Sequence, residues 1–255
     1  MNADARPQYV QIADELRRRI DAGTIGYGAP LPSEQEIRDE WNVARNTARQ
    51  AVEVLREEGR VYTLKGRGSF VRPKLDARRV ASSRYRADVE STPENPQTSV
   101  THDYGIRFDR HNPDAVITTE PASPEVAELF NVAAGTGLVR RDLVFRLDGW
   151  PTHMSTSFYL ADMVAGTPVA GPGSEPAQGG AVGHLKSLGV RVVRVVEAVE
   201  SRMPTDREAE VLRMPSGPVL AITRQMFDDG GRVVEVAREI VYPGDGVRLE
   251  YEINL

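Results

Sequence analysis

Residues 45–56, RNTARQAVEVLR, constrain the fold more tightly than any other stretch, because on a helical wheel they sort into two sides. At about 100° per residue, Arg45, Asn46, Arg49, Gln50, Glu53 and Arg56 fall within an arc of roughly 140°, and Val54, Ala51, Leu55, Ala48 and Val52 fill the opposite arc. Such a helix buries one side and leaves arginine, amide and hydroxyl groups outside.

Its neighbours supply what the apolar side packs against. Residues 8–22 place Val10, Ile12, Ala13, Leu16 and Ile20 at helical spacing, with Gly23 to stop the helix. A Gly- and Pro-rich connection follows, and then Ser33, three residues ahead of Glu36, forms a capping box for a short second helix that ends in a turn at Asn42 and Val43. After Gly59, apolar residues Val61, Leu64, Phe70 and Val71 flank KGRG, the pattern of a glycine-tipped hairpin. Three helices and a hairpin make a winged helix-turn-helix over residues 1–72.

The run from Tyr9 to Val71, with its LPSE turn, RNTARQA helix, EEG stop and GRGSFV wing in order, resembles the N-terminal domain of GntR-family transcription regulators. The resemblance implies that Gln35, Ala44, Arg45, Asn46, Thr47, Arg49, Lys65 and Gly66 face DNA. Arg45, Asn46 and Arg49 suit base edges in the major groove, where Arg donates two bonds to guanine and Asn pairs with adenine. Thr47 suits a phosphate, and Lys65 and Arg67 bring charge to a wing whose Gly66 and Gly68 let backbone come close. Two positions depart from the family pattern: Gln35 stands where Arg is common, and Ala44 where Ser or Thr is common. Gln35 favours adenine over guanine if it reaches a base, and Ala44 forfeits an N-cap worth about 1 kcal/mol.

Charge is distributed in keeping with this. The chain carries a net −5, but residues 1–86 hold 17 Lys+Arg against 12 Asp+Glu, and residues 87–255 hold 15 against 25. A basic front favours a polyanion, and an acidic remainder limits nonspecific attachment to it. Arginine outnumbers lysine 29 to 3 along the whole chain, so placement rather than richness carries the argument. With no cysteine, disulfides and thiolate sites are excluded. No signal sequence or long apolar run is present, so a cytoplasmic location and no membrane partner are expected.

Residues 73–100, rich in Pro, Ser and charge, read as a linker whose Lys74, Arg78, Arg79, Arg84 and Arg86 are either solvated or near phosphates. Beyond it, residues 101–255 read as an antiparallel α+β domain. Helix signals lie at Ser123-Pro124, at Thr205 with Glu208, and in GGAVGHLKSLG. Strands flank Asp148-Gly149 and Asp229-Gly230, and VRVVRVVEAVESRM adds another.

From about Ala115 onward this order resembles the effector-binding (UTRA) domain of the HutC subfamily, whose fold is like that of chorismate lyase. In relatives that bind sugar phosphates, two alternating arginines precede the Asp-Gly turn and a glutamate follows it. Anchored on Pro151, those positions fall here on Leu143, Phe145 and Ser155, so the charges are missing. An apolar or weakly polar effector, not a sugar phosphate, is therefore expected. Arg141, on the same strand face, is expected to bond a carboxylate or carbonyl at the pocket edge, with Arg140 and Arg146 pointing away. Ser157 and Glu235 complete the candidate effector set.

The expected whole is a one-component regulator, a repressor with no cofactor, binding a palindromic double-stranded DNA operator as a homodimer and modulated by a small molecule. An enzyme of chorismate-lyase type is disfavoured, because His102, His111, His153 and His184 are scattered and no nucleophile elbow or phosphate loop occurs. A DNA-binding dimer that ignores ligands is the third alternative.

Overall fold

The computed structural model describes residues 6–64, 66–73, 77–81, 83–147, 149–171, 175, 177–214, 217–244 and 246–251. The chain forms two compact units, one of Met1–Lys74 with Arg213–Ser216, the other of Leu75–Leu212 with Gly217–Leu255.

The first unit is built from α1 (Gln8–Asp21), α2 (Glu34–Trp41), α3 (Arg45–Glu57), β1 (Val61–Leu64) and β2 (Gly68–Val71). The apolar sides of the three helices close on one core of Ile12, Leu16, Ile37, Ala48, Ala51 and Leu55, sealed by Val61 and Val71 of the hairpin. Local chemistry sets each end. Ser33 and Glu36 form the reciprocal capping box of α2, and Asn42 ends that helix in the left-handed region at φ 50°. The hairpin pairs Val61 with Val71 and Leu64 with Gly68, and its Ser69 carbonyl accepts the Leu31 N–H, tying the Gly- and Pro-rich connection to the wing.

The second unit carries a six-stranded, wholly antiparallel sheet in the order β4-β5-β6-β9-β8-β7. These strands are β4 (His111–Pro121), β5 (Gly137–Leu147), β6 (Trp150–Leu160), β7 (Val192–Arg202), β8 (Val219–Asp228) and β9 (Val233–Pro243). The two expected hairpins appear as β5-β6 and β8-β9; Asp148 lies outside the described residues. Around the sheet stand α6 (Pro124–Phe130), capped by Ser123, α7 (Ala161–Val164), α8 (Gly180–Ser187) and α9 (Asp206–Val211), capped by Thr205 and Glu208. Central strand β6 is buried along its length from Trp150 to Tyr159, polar residues included. No helix of the described residues is long and apolar enough to cross a membrane.

The segment expected to be a linker is different. β3 (Ala77–Val80) pairs in parallel with β10 (Val247–Glu250) at the far end of the chain, and α4 (Arg84–Glu90) and α5 (Ser99–Tyr104) pack within the second unit. That unit therefore begins near residue 75 rather than 101. Arg79 and Arg84 are each only 2% exposed, and so belong to its interior rather than to a solvated or DNA-facing linker. The cause is long-range: their carboxylate partners, Glu197 and Asp103, stand 118 and 19 residues away, beyond what local periodicity reveals. Strand β4 was likewise hidden, because as a sheet edge its residues are mostly exposed and lack a clean alternation.

Candidate DNA-reading face and buried cavity

On the first unit, α3 starts at Arg45 with Ala44 as an N-cap that makes no side-chain bond. The absence follows from the side chain, since a methyl group has nothing to offer the open backbone N–H groups of the first turn. Arg45, Asn46 and Arg49 are exposed together on that turn and Thr47 is half-buried at its flank. Arg45 reaches Glu34 of α2 at 3.0 Å, Arg49 donates to the Asn46 side-chain oxygen Oδ1 at 3.0 Å, and Gln35 donates to Asp39 at 2.7 Å. These are exposed pairings in water, each worth well under about 1 kcal/mol, so they preorganise the side chains without tying them down. In the wing, Gly66 and Arg67 are exposed, and Gly66 at φ +75° has open space where a side chain would stand. Lys65 lies outside the described residues.

In the second unit a cavity lies against the sheet. Leu143 and Phe145 of β5 and Ser155 and Ser157 of β6 all line it, so those four expected residues share one site. Its wall is not apolar, however. Arg79, Arg84, Arg141 and Arg224 also line it, arriving from β3, α4, β5 and β8. Leu143 and Phe145 carry no charge, but guanidiniums reach the same cavity from other elements.

Each guanidinium is already engaged. Arg84 grips Asp103, with 2.7 Å at its shortest bond, and lies 3.5 Å from Glu197. Arg79 donates to Glu197 at 2.8 Å and to the Tyr242 hydroxyl at 2.9 Å. Arg224 makes a two-pronged pair with Glu235, at 2.7 and 3.1 Å. Arg141, rather than waiting at a pocket edge, is 1% exposed and bonds the Val169 carbonyl and, at 2.6 Å, Glu175, which also meets His184 at 3.0 Å. Arg140 and Arg146 turn away as expected, to Asp142 and Asp114. Glu235 is not part of the cavity wall; it is fully buried and holds Arg224 in place.

The electrostatics are those of a balanced interior. Burial acts to raise the Glu197 pKa, but Arg79 and Arg84 overcome it and hold the carboxyl down to about 2. Burial pushes Asp88, whose carboxylate accepts the Ser99 N–H, up to about 6. Burial also lowers His111 to about 4 and His153 well below its ordinary value, with His111 adding to the latter, so both imidazoles are neutral near pH 7.

These two histidines were scattered in the sequence, and the sheet brings them together. His111, Phe145, His153 and Tyr242 stack as a ladder across β4, β5, β6 and β9, with successive ring centroids 5.1, 4.1 and 4.4 Å apart and planes within 10°. All four rings line the cavity. The ladder had little signal in the sequence: His153, Ser155 and Ser157 share one face of β6 at period two, but Thr152 and Thr156 place polar residues on the other face as well.

Residues 8–71 match the family of bacterial regulatory proteins, gntR family, and residues 115–248 match the UTRA domain. Among curated relatives, an HTH-type transcriptional regulator of Streptomyces coelicolor is 27% identical over 240 residues, covering 92% of this chain and 88% of the relative. The HTH-type transcriptional repressor NagR of Bacillus subtilis is 28% identical over 243 residues, covering 94% and 91%. A crystal structure of a GntR-family transcriptional regulator superposes with a TM-score of 0.56 at 28% identity, covering 98% of both chains. These relatives are named as transcriptional regulators, not as enzymes. The chain belongs to the GntR family: it is a transcriptional regulator in which a winged helix-turn-helix precedes a UTRA domain.

Proposed function

We propose that the protein is a cytoplasmic, one-component repressor whose two copies bind a palindromic operator and which a small molecule in the UTRA cavity modulates. The observation that carries the DNA-binding half is the joint exposure of Arg45, Asn46 and Arg49 on the first turn of α3, beside the glycine-tipped wing. Insertion of α3 into the major groove brings those three to base edges, with Thr47, Lys65, Gly66 and Arg67 on phosphates and Gln35 at the flank. Two copies related by a twofold axis would read half-sites in inverted repeat. NagR is named a repressor, which favours repression here.

The effector half rests on the cavity lined by Leu143, Phe145, Ser155 and Ser157. Its proximity to Arg79, on the first strand after the winged domain, offers a route by which occupancy would bias the DNA-binding state. DNase footprinting of the full chain on the DNA upstream of its own and adjoining genes tests the proposal. A protected inverted repeat is expected, weakened by a metabolite that also raises the melting temperature. Absence of any protected site there contradicts it, and protection that no metabolite alters favours a ligand-independent dimer.

A further inference from the structure

The cavity pairs most of its charge internally and leaves some of its neutral hydrogen-bonding groups unused. Four guanidiniums, of Arg79, Arg84, Arg141 and Arg224, face four carboxylates, of Glu197, Asp103, Glu175 and Glu235. Asp88 on the wall adds an acid to that balance. An incoming phosphate or carboxylate would find one unused guanidinium N–H, Arg79 Nε, and any further contact would take a guanidinium from its partner and leave a buried carboxylate unpaired. The cavity is thus built against anions although arginines line it.

Apart from Arg79 Nε, the groups left over are of another kind. His111 is 2% exposed and neither ring nitrogen has a hydrogen-bond partner among the described residues. Ser155 and Ser157 are 6% and 4% exposed on the cavity wall, and among the described residues neither hydroxyl is hydrogen-bonded. Buried polar groups are seldom left without a partner, because the desolvation they suffer is then uncompensated, so the gathering of three such residues around one cavity marks what its occupant supplies. Both a hydroxyl and a neutral imidazole donate and accept at once, which matches the hydroxyl groups of a ligand better than a pure acceptor such as phosphate. Stacking is already consumed: the ladder rings cover one another's faces, and the Arg79 guanidinium lies 5.1 Å from the Tyr242 centroid. A planar heteroaromatic ligand would find mainly ring edges. Leu143 and Ile240 supply the apolar surface that the C–H face of a sugar needs.

We propose that the cavity takes an uncharged polyhydroxylated ligand, an unphosphorylated sugar or polyol, held by His111, Ser155 and Ser157, and that it rejects the phosphorylated counterpart. The proposal rests on the reading of this cavity as the effector site. The test is calorimetric titration of the full chain, at fixed ionic strength, with matched probes: glucose, N-acetylglucosamine and inositol, each against its monophosphate, and inorganic phosphate alone. At least one neutral probe is expected to bind about tenfold or more tightly than its phosphate. Ser155→Ala and Ser157→Ala are each expected to weaken that probe by about tenfold while leaving the melting temperature of the unliganded protein within a few degrees. His111→Phe gives the same readout wherever the variant melts cooperatively. Tighter binding in the phosphate arm, binding of inorganic phosphate in competition with a probe, or no binding in the neutral arm overturns the proposal. Operator binding measured in parallel separates the two claims: a chain that grips its operator and is released by an anion keeps its regulatory function and loses this ligand class.

Discussion

Replacing Glu197 by glutamine should destabilise the UTRA domain far more than its position suggests. Glu197 lies on β7, an edge strand on which most residues are exposed, and an edge glutamate is normally worth a few tenths of a kcal/mol. Here its side chain is only 17% exposed and lies between Arg79 and Arg84, with the Tyr85 hydroxyl donating to it. A carboxyl held at about 2 instead of 4.5 stabilises the folded state by about 3 kcal/mol at neutral pH. That agrees with the roughly 3–5 kcal/mol lost when one partner of a buried ion pair is removed. Because the pKa is lowered on folding, the contribution is complete above pH 4.5 and is lost as pH falls toward 2; near pH 3 about half remains.

The assay is urea denaturation followed by tryptophan fluorescence. The chain has two tryptophans, Trp41 in the winged domain and Trp150, 5% exposed, in the UTRA domain, so a Trp41→Phe background isolates the second transition. The wild-type minus Glu197→Gln difference should be about 3 kcal/mol at pH 7 and shrink by about half near pH 3. A difference below about 1 kcal/mol, or one independent of pH, would refute the reasoning and return Glu197 to an ordinary edge-strand acid.

Other outcomes follow from single residues. Ala44→Ser should restore the missing N-cap of α3, raising the stability of the winged domain by about 1 kcal/mol and tightening operator binding, and a loss in both would show the cap argument wrong. His111, held at about 4 rather than 6.5, contributes about 3 kcal/mol that is fully present above pH 6.5 and disappears as pH falls through 4. His111→Phe should therefore flatten the acid limb of the UTRA unfolding curve, and an unchanged acid limb would mean that the imidazole ionises freely. Removing one member of the Arg224–Glu235 pair, by Glu235→Gln, should cost about 3 kcal/mol or more, whereas the double change to Met and Leu should recover much of it; equal losses in single and double variants would contradict the buried-pair account.

How much of this was legible in the sequence depended on the range of the interactions. The winged domain is held by contacts that local patterns announce: the α2 capping box at Ser33, the angular sorting of α3 and the glycine-tipped hairpin all appear where the residues place them. In the UTRA domain the hairpins β5-β6 and β8-β9 were equally local, and so was the shared face of Leu143 and Phe145. What the sequence hid was assembled from a distance. Arg79 and Arg84 looked like linker charges because Glu197 lies more than a hundred residues on, and His111 and His153 looked like isolated histidines because only the pairing of β4, β5 and β6 aligns them. The leucine and phenylalanine at 143 and 145 could not tell that arginines from β3, α4 and β8, paired with distant carboxylates, line the same cavity.

The central claim is that the first turn of α3 reads DNA, and fluorescence anisotropy on a footprinted operator tests it most directly. The full chain, Arg45→Ala and Arg49→Ala are compared at one salt concentration on the operator and on a scrambled duplex. Each variant is expected to lose about 1–3 kcal/mol on the operator, roughly 5- to 150-fold in affinity, with a much smaller loss on the scrambled sequence and the UTRA unfolding transition unchanged. Operator affinity within about twofold of the parent chain in both variants would contradict the account.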